Sequence, residues 1–390
     1  MNYNFDEIID RSNSDCSKIE NLKILFGGEK LIPLWVADMD FKSPPAITKA
    51  LMSRVEHGIF GYTVQSVEYF DSIVNWLDRK HNWKVNRDDI NFVPGVVKGF
   101  SFAIEEFTDK EDNIIIQPPV YHPFRLVTKA LGRNVIDNQL ILENGQYKMD
   151  FDGLRKIISE KDCKMLILCN PHNPGGRVWT PEELRELAQI CYENNIFVVS
   201  DEIHSDMALP GFKHTPFATV SSEAEDNSIT LMAPSKTFNI AGIVSSFAVI
   251  TNKDIRQKYR SFIKPRGLDE GTLFGYTATK VAFTECDDWL EEMLSYVKGN
   301  IDYVDNFLKE NIPEIQAILP EASFLIWLDC RKLNLTHHEL VKLFVDKAGL
   351  ALNEGTIFGS GGEGFMRLNV GTSRKILERA MSNLKEALSK

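Results

Sequence analysis

The sequence lacks the features that would assign it to a membrane, secreted or nucleic-acid-binding class. No stretch approaches the roughly 18 consecutive apolar residues of a membrane span, and the first ten residues are polar and acidic, unlike a signal peptide. Positive charges are in the minority, since 44 lysines and arginines are outnumbered by 55 aspartates and glutamates. The net charge of −11 at pH 7 argues against nucleic acid or an anionic membrane as the main partner.

The cysteines also lack the spacing that metal sites and disulfide frameworks require. The six cysteines include no Cys-x-x-Cys pair, and three of them lie in or beside apolar runs. Such cysteines behave as small buried hydrophobes in a reducing compartment. We therefore expect no disulfide framework, no metal site and a cytoplasmic protein. No internal repeat or low-complexity linker interrupts the chain.

What the chain does contain is a regular alternation of buried strands and helices from about residue 90. The apolar runs that predict strands are 91–95, 113–117, 164–170, 196–200, 229–232 and 244–250. Strands without polar–apolar alternation, separated by helices, indicate an α/β fold with a mostly parallel sheet covered by helices on both faces. Ligands of such sheets bind beyond the carboxyl ends of the strands.

The pattern changes near residue 286 and predicts a second domain. A long amphipathic helix, two strands and two further helices follow, at 288–311, 323–329, 337–348, 365–370 and the carboxyl end. We predict a large domain at 46–285 and a smaller α+β domain at 286–390, to which the N-terminal segment 1–45 contributes.

Two positions at predicted strand and helix ends suit a phosphate and an aldehyde. After Gly95, the backbone N–H groups of Val96 and Val97 begin a helix, and a helix N-terminus binds phosphate. Lys236 follows the strand 229–232, where desolvation allows an amine to act as a nucleophile toward an aldehyde. Taken singly, the first feature fits a turn glycine before a packed helix equally well, and a lone lysine is more often a surface residue.

Two further polar residues end neighbouring strands. Asn173 lies in a turn rich in proline and glycine, which is often simple turn punctuation. Asp201 ends a buried strand, and a carboxylate there needs a cationic partner. A phosphate site, a nucleophilic lysine and a carboxylate for a pyridinium nitrogen are together the requirements of pyridoxal phosphate.

Several motifs give the chain a resemblance to a known family over essentially its whole length. Asn173-Pro-Gly175, Asp201-Glu-Ile-His204 and Ser235-Lys-Thr-Phe-Asn-Ile-Ala-Gly242 resemble the signatures of fold-type I pyridoxal-phosphate enzymes of the class I/II aminotransferase superfamily. Three further stretches, 33–41, 94–97 and 365–369, are similar to the MalY/PatB branch, which comprises cystathionine β-lyases and related carbon–sulfur lyases. Aminotransferases of this superfamily usually carry an arginine eight positions after the lysine, where this chain has Val244.

The resemblance implies roles for individual side chains. Lys236 would form the Schiff base with pyridoxal 5'-phosphate and move the substrate's α-proton, and Tyr121 would stack on the ring beside it as a second catalytic residue. The other cofactor contacts would be Asp201, Asn173, Val96, Val97, Ser235, His204 and, from the neighbouring subunit of a homodimer, Tyr62. The substrate would contact Arg367, Tyr62, Trp35, Asp38 and His122, with Arg367 clamping its carboxylate.

Two histidines are left open at this point. His122 lies where several lyases of this branch have a second tyrosine, and it either takes over protonation of the leaving group or does not. His204 either lies near the phenolic oxygen of the cofactor or is a satisfied core histidine.

The resemblance implies an α,β-elimination on a sulfur amino acid. L-Cystathionine would give homocysteine, pyruvate and ammonia, and cysteine would give sulfide. Two alternatives stay open, an aminotransferase of an L-amino acid and a lyase that doubles as a regulatory protein-binding module. Only Val244 and the segment 35–41 favour the lyase over the aminotransferase.

Overall fold

The computed structural model describes residues 3–389. The strands in this range are β1 (Ile32–Pro33), β2 (Ile90–Val93), β3 (Asn113–Ile116), β4 (Asn134–Asp137), β5 (Ile141–Glu143), β6 (Gln146–Lys148), β7 (Cys163–Cys169), β8 (Phe197–Asp201), β9 (Ser228–Met232), β10 (Ser246–Val249), β11 (Gln316–Ile318), β12 (Leu325–Asp329), β13 (Leu350–Ala351), β14 (Asn353–Glu354) and β15 (Phe365–Asn369). The helices are α1 (Ser17–Glu20), α2 (Leu22–Phe26), α3 (Pro45–His57), α4 (Val67–His81), α5 (Val96–Phe107), α6 (Pro123–Ala130), α7 (Phe151–Glu160), α8 (Pro181–Glu193), α9 (Ser222–Asp226), α10 (Pro234–Thr237), α11 (Lys253–Ile263), α12 (Leu273–Glu285), α13 (Asp287–Asn311), α14 (His337–Lys342) and α15 (Arg374–Leu388).

The largest sheet in the described range has seven strands in the order β2-β10-β9-β8-β7-β3-β4. The five strands from β9 to β4 pair in parallel, whereas β10 is antiparallel to both of its neighbours. The prediction of a mostly parallel sheet is confirmed. The connection 233–245 that leads to the antiparallel strand β10 contains only one-turn helical segments, whereas parallel strands are usually joined through a full helix.

Helices cover both faces of this sheet. Successive side chains of a strand point to opposite faces, so Met165 and Ile167 of β7 join a core cluster with α5 and α11. The intervening residues Leu166 and Leu168 join a second cluster with α8. Burial on both faces explains why the strands appear in the sequence as continuous apolar runs.

A second sheet lies in the carboxyl-terminal part of the chain. It has four antiparallel strands in the order β11-β12-β15-β14. The short strand β1 pairs in parallel with β13, with Ile32 opposite Leu350, so the N-terminal segment lies against this part of the chain. The predicted domain boundaries, after residues 45 and 285, stay predictions.

Some elements differ from the sequence-based expectation. Strand β4 and the hairpin β5–β6 were not predicted, because nearly all of their residues are exposed or half-buried and form no buried apolar run. Of the predicted helix 337–348, only His337–Lys342 is α-helical, and the next residues, Leu343–Lys347, form a π-helical turn. Among the described residues, none of the helices has the length and apolar character needed to cross a membrane.

Candidate active site

A cavity of about 430 Å³ opens where the parallel strands of the large sheet end. Strand β8 ends at Asp201 and strand β9 leads into Lys236, while helix α5 begins at its wall and β15 supplies Arg367 from the smaller sheet. The predicted site residues that line it are Trp35, Val96, Val97, Tyr121, His122, Asn173, Asp201, His204, Ser235, Lys236 and Arg367. Residues far apart in sequence therefore converge on one cavity at the expected edge of the sheet.

Two predicted site residues lie elsewhere. The side chain of Tyr62 is fully exposed and borders a separate surface groove. The carboxylate of Asp38 forms ion pairs with Arg11, at 2.7 Å, and with Lys18, at 3.5 Å. Asp38 is not among the residues that line the cavity and its carboxylate pairs with these two cations, so the substrate contact predicted for Asp38 stays a prediction.

The amine of Lys236 is held by a backbone carbonyl. Its Nζ donates a hydrogen bond to the carbonyl oxygen of Ala37 at 2.6 Å. Desolvation lowers the pKa of Lys236 to about 8, an effect that Asp38 and Asp201 oppose and Arg367 reinforces. A part of the lysine population is thus neutral near pH 7, as attack on an aldehyde requires.

Asp201 is a buried carboxylate with little compensation. Its Oδ1 accepts a hydrogen bond from the backbone N–H of Ile203 at 3.1 Å, and no ion pair from another residue of the range 3–389 reaches it. Burial raises the pKa of Asp201 to about 7, against the opposing effects of the Ile203 N–H and of Lys236. A carboxylate in this position is best satisfied by a cationic group of a ligand in the cavity.

The start of helix α5 forms a second polar wall. Gly95 precedes the helix with a φ of 111°, in the left-handed region that favours glycine. The helix begins at Val96 without a side-chain cap, so its first N–H groups and the positive end of its dipole remain available to an anion. The buried Ser235 lines the same cavity and adds a hydroxyl group.

Arg367 is buried and is held by neutral oxygens. Its Nη1 donates to Oδ1 of Asn173 at 3.0 Å, and its Nη2 donates to the carbonyl oxygen of Trp35 at 2.8 Å and to Oδ1 of Asn353 at 2.6 Å. Burial lowers the pKa of Arg367 to about 10, and its Nε has no hydrogen-bond partner within residues 3–389. A guanidinium group without a carboxylate partner suits bidentate binding of a ligand carboxylate.

Burial favours the neutral forms of the aromatic and imidazole side chains in the cavity. Burial raises the pKa of Tyr121 to about 12. Burial and then Arg367 lower the pKa of His122. Burial, followed by Lys236 and Arg367, lowers the pKa of His204 to about 3. In the described part of the chain, Nδ1 of both histidines is buried without a hydrogen-bond partner, so each ring has a free site for a ligand.

Three asparagines have functions in the site that the sequence reasoning missed. Asn239 exchanges hydrogen bonds of 3.0 and 2.9 Å with the backbone of Met39, and Asn369 donates to the carbonyl oxygen of Val36 at 2.6 Å. Asn353 holds Arg367. Asn239 and Asn369 lie inside motifs already noted, whereas Asn353 lies in a two-residue strand that leaves no sequence signal.

The groups in the cavity fit pyridoxal phosphate. Lys236 would provide an amine for the aldehyde, and Asp201 would provide an anion for the ring nitrogen. The N-terminus of α5 and Ser235 would provide donors for the phosphate, and Arg367 would remain for a substrate carboxylate. Within residues 3–389, Lys236, Asp201 and Arg367 form no ion pair, so each lacks a charged partner of the kind that this cofactor or an amino-acid substrate would supply.

Comparisons with known proteins agree with this geometry. The cystathionine beta-lyase PatB of Bacillus subtilis (strain 168) is 42% identical to this chain over 386 residues, which cover 99% of this chain and 100% of that protein. Cystalysin from Treponema denticola, whose structure contains a pyridoxal 5'-phosphate cofactor, is 36% identical with a TM-score of 0.96, over 100% of this chain and 99% of that one.

A pyridoxal-phosphate-bound protein from Clostridium difficile 630 is 43% identical with a TM-score of 0.97, over 99% of this chain and 100% of that one. These two solved structures confirm the predicted fold class along nearly the whole chain. The family model for aminotransferase class I and II matches residues 29–384. With its cavity at the strand ends and its motifs matched over that length, the chain belongs to the aminotransferase class I and II family.

Proposed function

We propose that this protein is a pyridoxal-phosphate-dependent carbon–sulfur β-lyase that acts on a sulfur amino acid such as L-cystathionine. The observation that carries the proposal is the convergence of Lys236, Asp201 and Arg367 on one cavity. The full-length relationship to the cystathionine beta-lyase PatB favours elimination as the outcome.

The bound cofactor supplies an electron sink for negative charge at the substrate Cα. Arg367 binds the substrate carboxylate and orients the Cα–H bond. Lys236 removes the α-proton at its Nζ, which its lowered pKa allows near neutral pH. Asp201 would keep the ring nitrogen positively charged, and Asn173 would donate to the ring's phenolic oxygen.

The remaining residues of the cavity hold the cofactor and the leaving group. Among the residues that line the cavity, Val96 and Val97 with their N–H groups and Ser235 with its hydroxyl would hold the phosphate, and Tyr121 and His204 would hold the ring. Trp35 and His122 contact the distal part of the substrate. The sulfur leaves Cβ with the bonding electron pair and takes a proton, and the released 2-aminoacrylate hydrolyses to pyruvate and ammonia.

We also propose a homodimer in which Tyr62 completes the cavity of the partner subunit. The support is an exposed apolar stretch around Tyr62, because contiguous exposed apolar surface indicates an interface. Its exposed members are Ile59, Phe60, Tyr62, Val64 and Val67. A cytoplasmic location is supported by the cysteines of the described range, which are free of disulfides and mostly buried.

An aminotransferase is the competing function, since the family includes such enzymes. Val244, eight positions after Lys236, argues against an aminotransferase. Val244 lies on the cavity wall and offers no charge to a phosphate, whereas aminotransferases of this superfamily resemble one another in having an arginine there. The two reactions differ in their need for an acceptor, and that difference can be measured.

The test is to incubate the purified holoenzyme with L-cystathionine and no 2-oxo acid. We expect steady release of pyruvate and thiol in equal amounts. Lys236→Ala should abolish both, while Lys253→Ala, at an exposed lysine on helix α11, should change neither. Turnover that appears only after addition of a 2-oxo acid would make the protein an aminotransferase.

A further inference from the structure

We propose that Arg11 and Lys18 are positioning residues, which fix the cavity segment 35–40 and, through its carbonyl groups, both Lys236 and Arg367. The inference deepens the proposed function and rests on it for the roles of the last two residues. Neither cation touches the cavity, so both would act at a distance through the segment between them.

The two cations form a compact cluster with two carboxylates, named here the N-terminal clamp (Arg11, Lys18, Asp38 and Asp40). The guanidinium group of Arg11 bridges Asp38 and Asp40. Its Nη2 lies 2.7 Å from Oδ2 of Asp38, and its Nη1 lies 2.7 Å from Oδ1 of Asp40. Lys18 lies 2.9 Å from Asp40 and 3.5 Å from Asp38. The side chain of Lys18 is fully buried, which is rare for lysine unless a carboxylate pairs with it.

The clamp is connected to the site by the backbone of the segment it holds. The indole of Trp35 donates to the carbonyl oxygen of Lys18 at 3.1 Å. The carbonyl of Trp35 accepts from Arg367 at 2.8 Å, and that of Ala37 accepts from Lys236 at 2.6 Å. Two carbonyls of one short segment thus position the amine and the guanidinium group of the site.

The clamp also acts on the site through charge. Burial alone would raise the pKa of Asp40, but Lys18 and Arg11 hold it below its ordinary value. The charged groups that act on Lys236 are Asp38, Arg367 and Asp201. Removing Arg11 leaves the negative charge of Asp38 less compensated and stabilises a positive Lys236 nitrogen, whereas neutralising Asp38 does the opposite.

The opposite effects expected for Arg11 and Asp38 variants on the charge of the Lys236 nitrogen distinguish a positioning role from a purely structural role. An ion-pair cluster that only stabilised the fold would change the melting temperature and leave substrate binding and the titration of the site unchanged. A half-buried cluster is also screened less by salt than a surface pair, so the electrostatic part should persist at moderate ionic strength.

The experiment compares holoenzyme variants by steady-state kinetics and by the pH at which the visible absorbance band of the bound cofactor changes. Arg11→Gln should raise KM about tenfold, because a small misplacement of binding groups is costly, and should move the absorbance midpoint to higher pH. Asp38→Asn should move the midpoint to lower pH. Arg11→Lys, which keeps the charge, should restore the midpoint and only part of the KM.

Lys42→Gln is the matched control, since Lys42 lies in the same region and its ion pair with Glu7 is exposed. It should change neither quantity. The proposal is overturned if Arg11→Gln matches this control, or if Arg11→Gln and Asp38→Asn shift the midpoint in the same direction. If Arg11→Gln does not fold, the proposal is overturned when Asp38→Asn fails to move the midpoint to lower pH, or when Arg11→Lys leaves KM at the wild-type value. The comparison is run with whichever reaction the wild type catalyses, so failure of the lyase proposal is detected separately, in the wild type.

Discussion

Replacing Asp201 by asparagine should stabilise the cofactor-free protein while inactivating the enzyme. The asparagine is nearly isosteric, and its side-chain oxygen can keep the hydrogen bond from the Ile203 N–H. What it removes is the negative charge. In the free protein that charge is a cost, because burial raises the pKa of Asp201. In the holoenzyme we expect it to be the counter-ion of the ring nitrogen.

The size of the effect follows from the pKa. Because the folded pKa of Asp201 lies above the ordinary value, at about 7 against 3.8, the folded state binds the proton more tightly than the unfolded state does. Stability is therefore lost as the pH rises from about 4 to about 7. The loss is complete at about pH 8, where it amounts to about 4 kcal/mol, and it is about 2 kcal/mol at about pH 5.

The assay is thermal unfolding of the cofactor-free wild type and Asp201→Asn near these two pH values. For a chain of this length, 4 kcal/mol corresponds to roughly 5 °C, so the variant should melt higher by about that much at the higher pH and by about half at the lower. Asp152→Asn, at a fully exposed aspartate, should melt like the wild type at both. A variant that melts no higher than the wild type at the higher pH would refute the reasoning.

Two further predictions concern the substrate. Arg367→Lys should raise KM about 100-fold with a smaller change in kcat, because an ammonium cannot form the two-pronged contact with a carboxylate; an unchanged KM would place the carboxylate elsewhere. His122→Phe should lower kcat for elimination about 10- to 100-fold with little change in KM, because the N–H of the neutral imidazole would no longer hydrogen-bond the departing thiolate. Release of thiol at the wild-type rate would leave His122 as a wall residue only.

The part of the site that could be predicted from the sequence is the part built on strand ends. Asp201, Asn173 and Lys236 each follow a buried apolar run, and parallel strands bring their carboxyl ends to one edge of a sheet. Their convergence was therefore predictable without knowing the packing of any helix. The glycine before α5 belongs to the same class, because a helix that follows a strand starts at that edge.

The part that could not be predicted depends on contacts between distant segments. Asn353 meets Arg367 through pairing of β14 with β15, and the ion pairs of Asp38 with Arg11 and Lys18 depend on where the irregular N-terminal segment folds. A carboxylate next to a Trp-containing motif predicts a polar role but not its partner. Asp38 was accordingly predicted to contact the substrate, and its ion pairs with Arg11 and Lys18 could not be foreseen.

The charges in the cavity also explain why the site is incomplete without its ligands. Burial lowers the pKa of Lys236 and of Arg367 and raises that of Asp201, so each group is held in an environment that disfavours its charged form. A buried charge costs several kcal/mol unless it is paired. A cofactor with an aldehyde and a basic ring nitrogen, and a substrate with a carboxylate, offset these costs one by one. The protein therefore binds them through charged groups that have no ion-pair partner among residues 3–389. This makes the cavity specific for the combination of charges that the cofactor and the substrate carry.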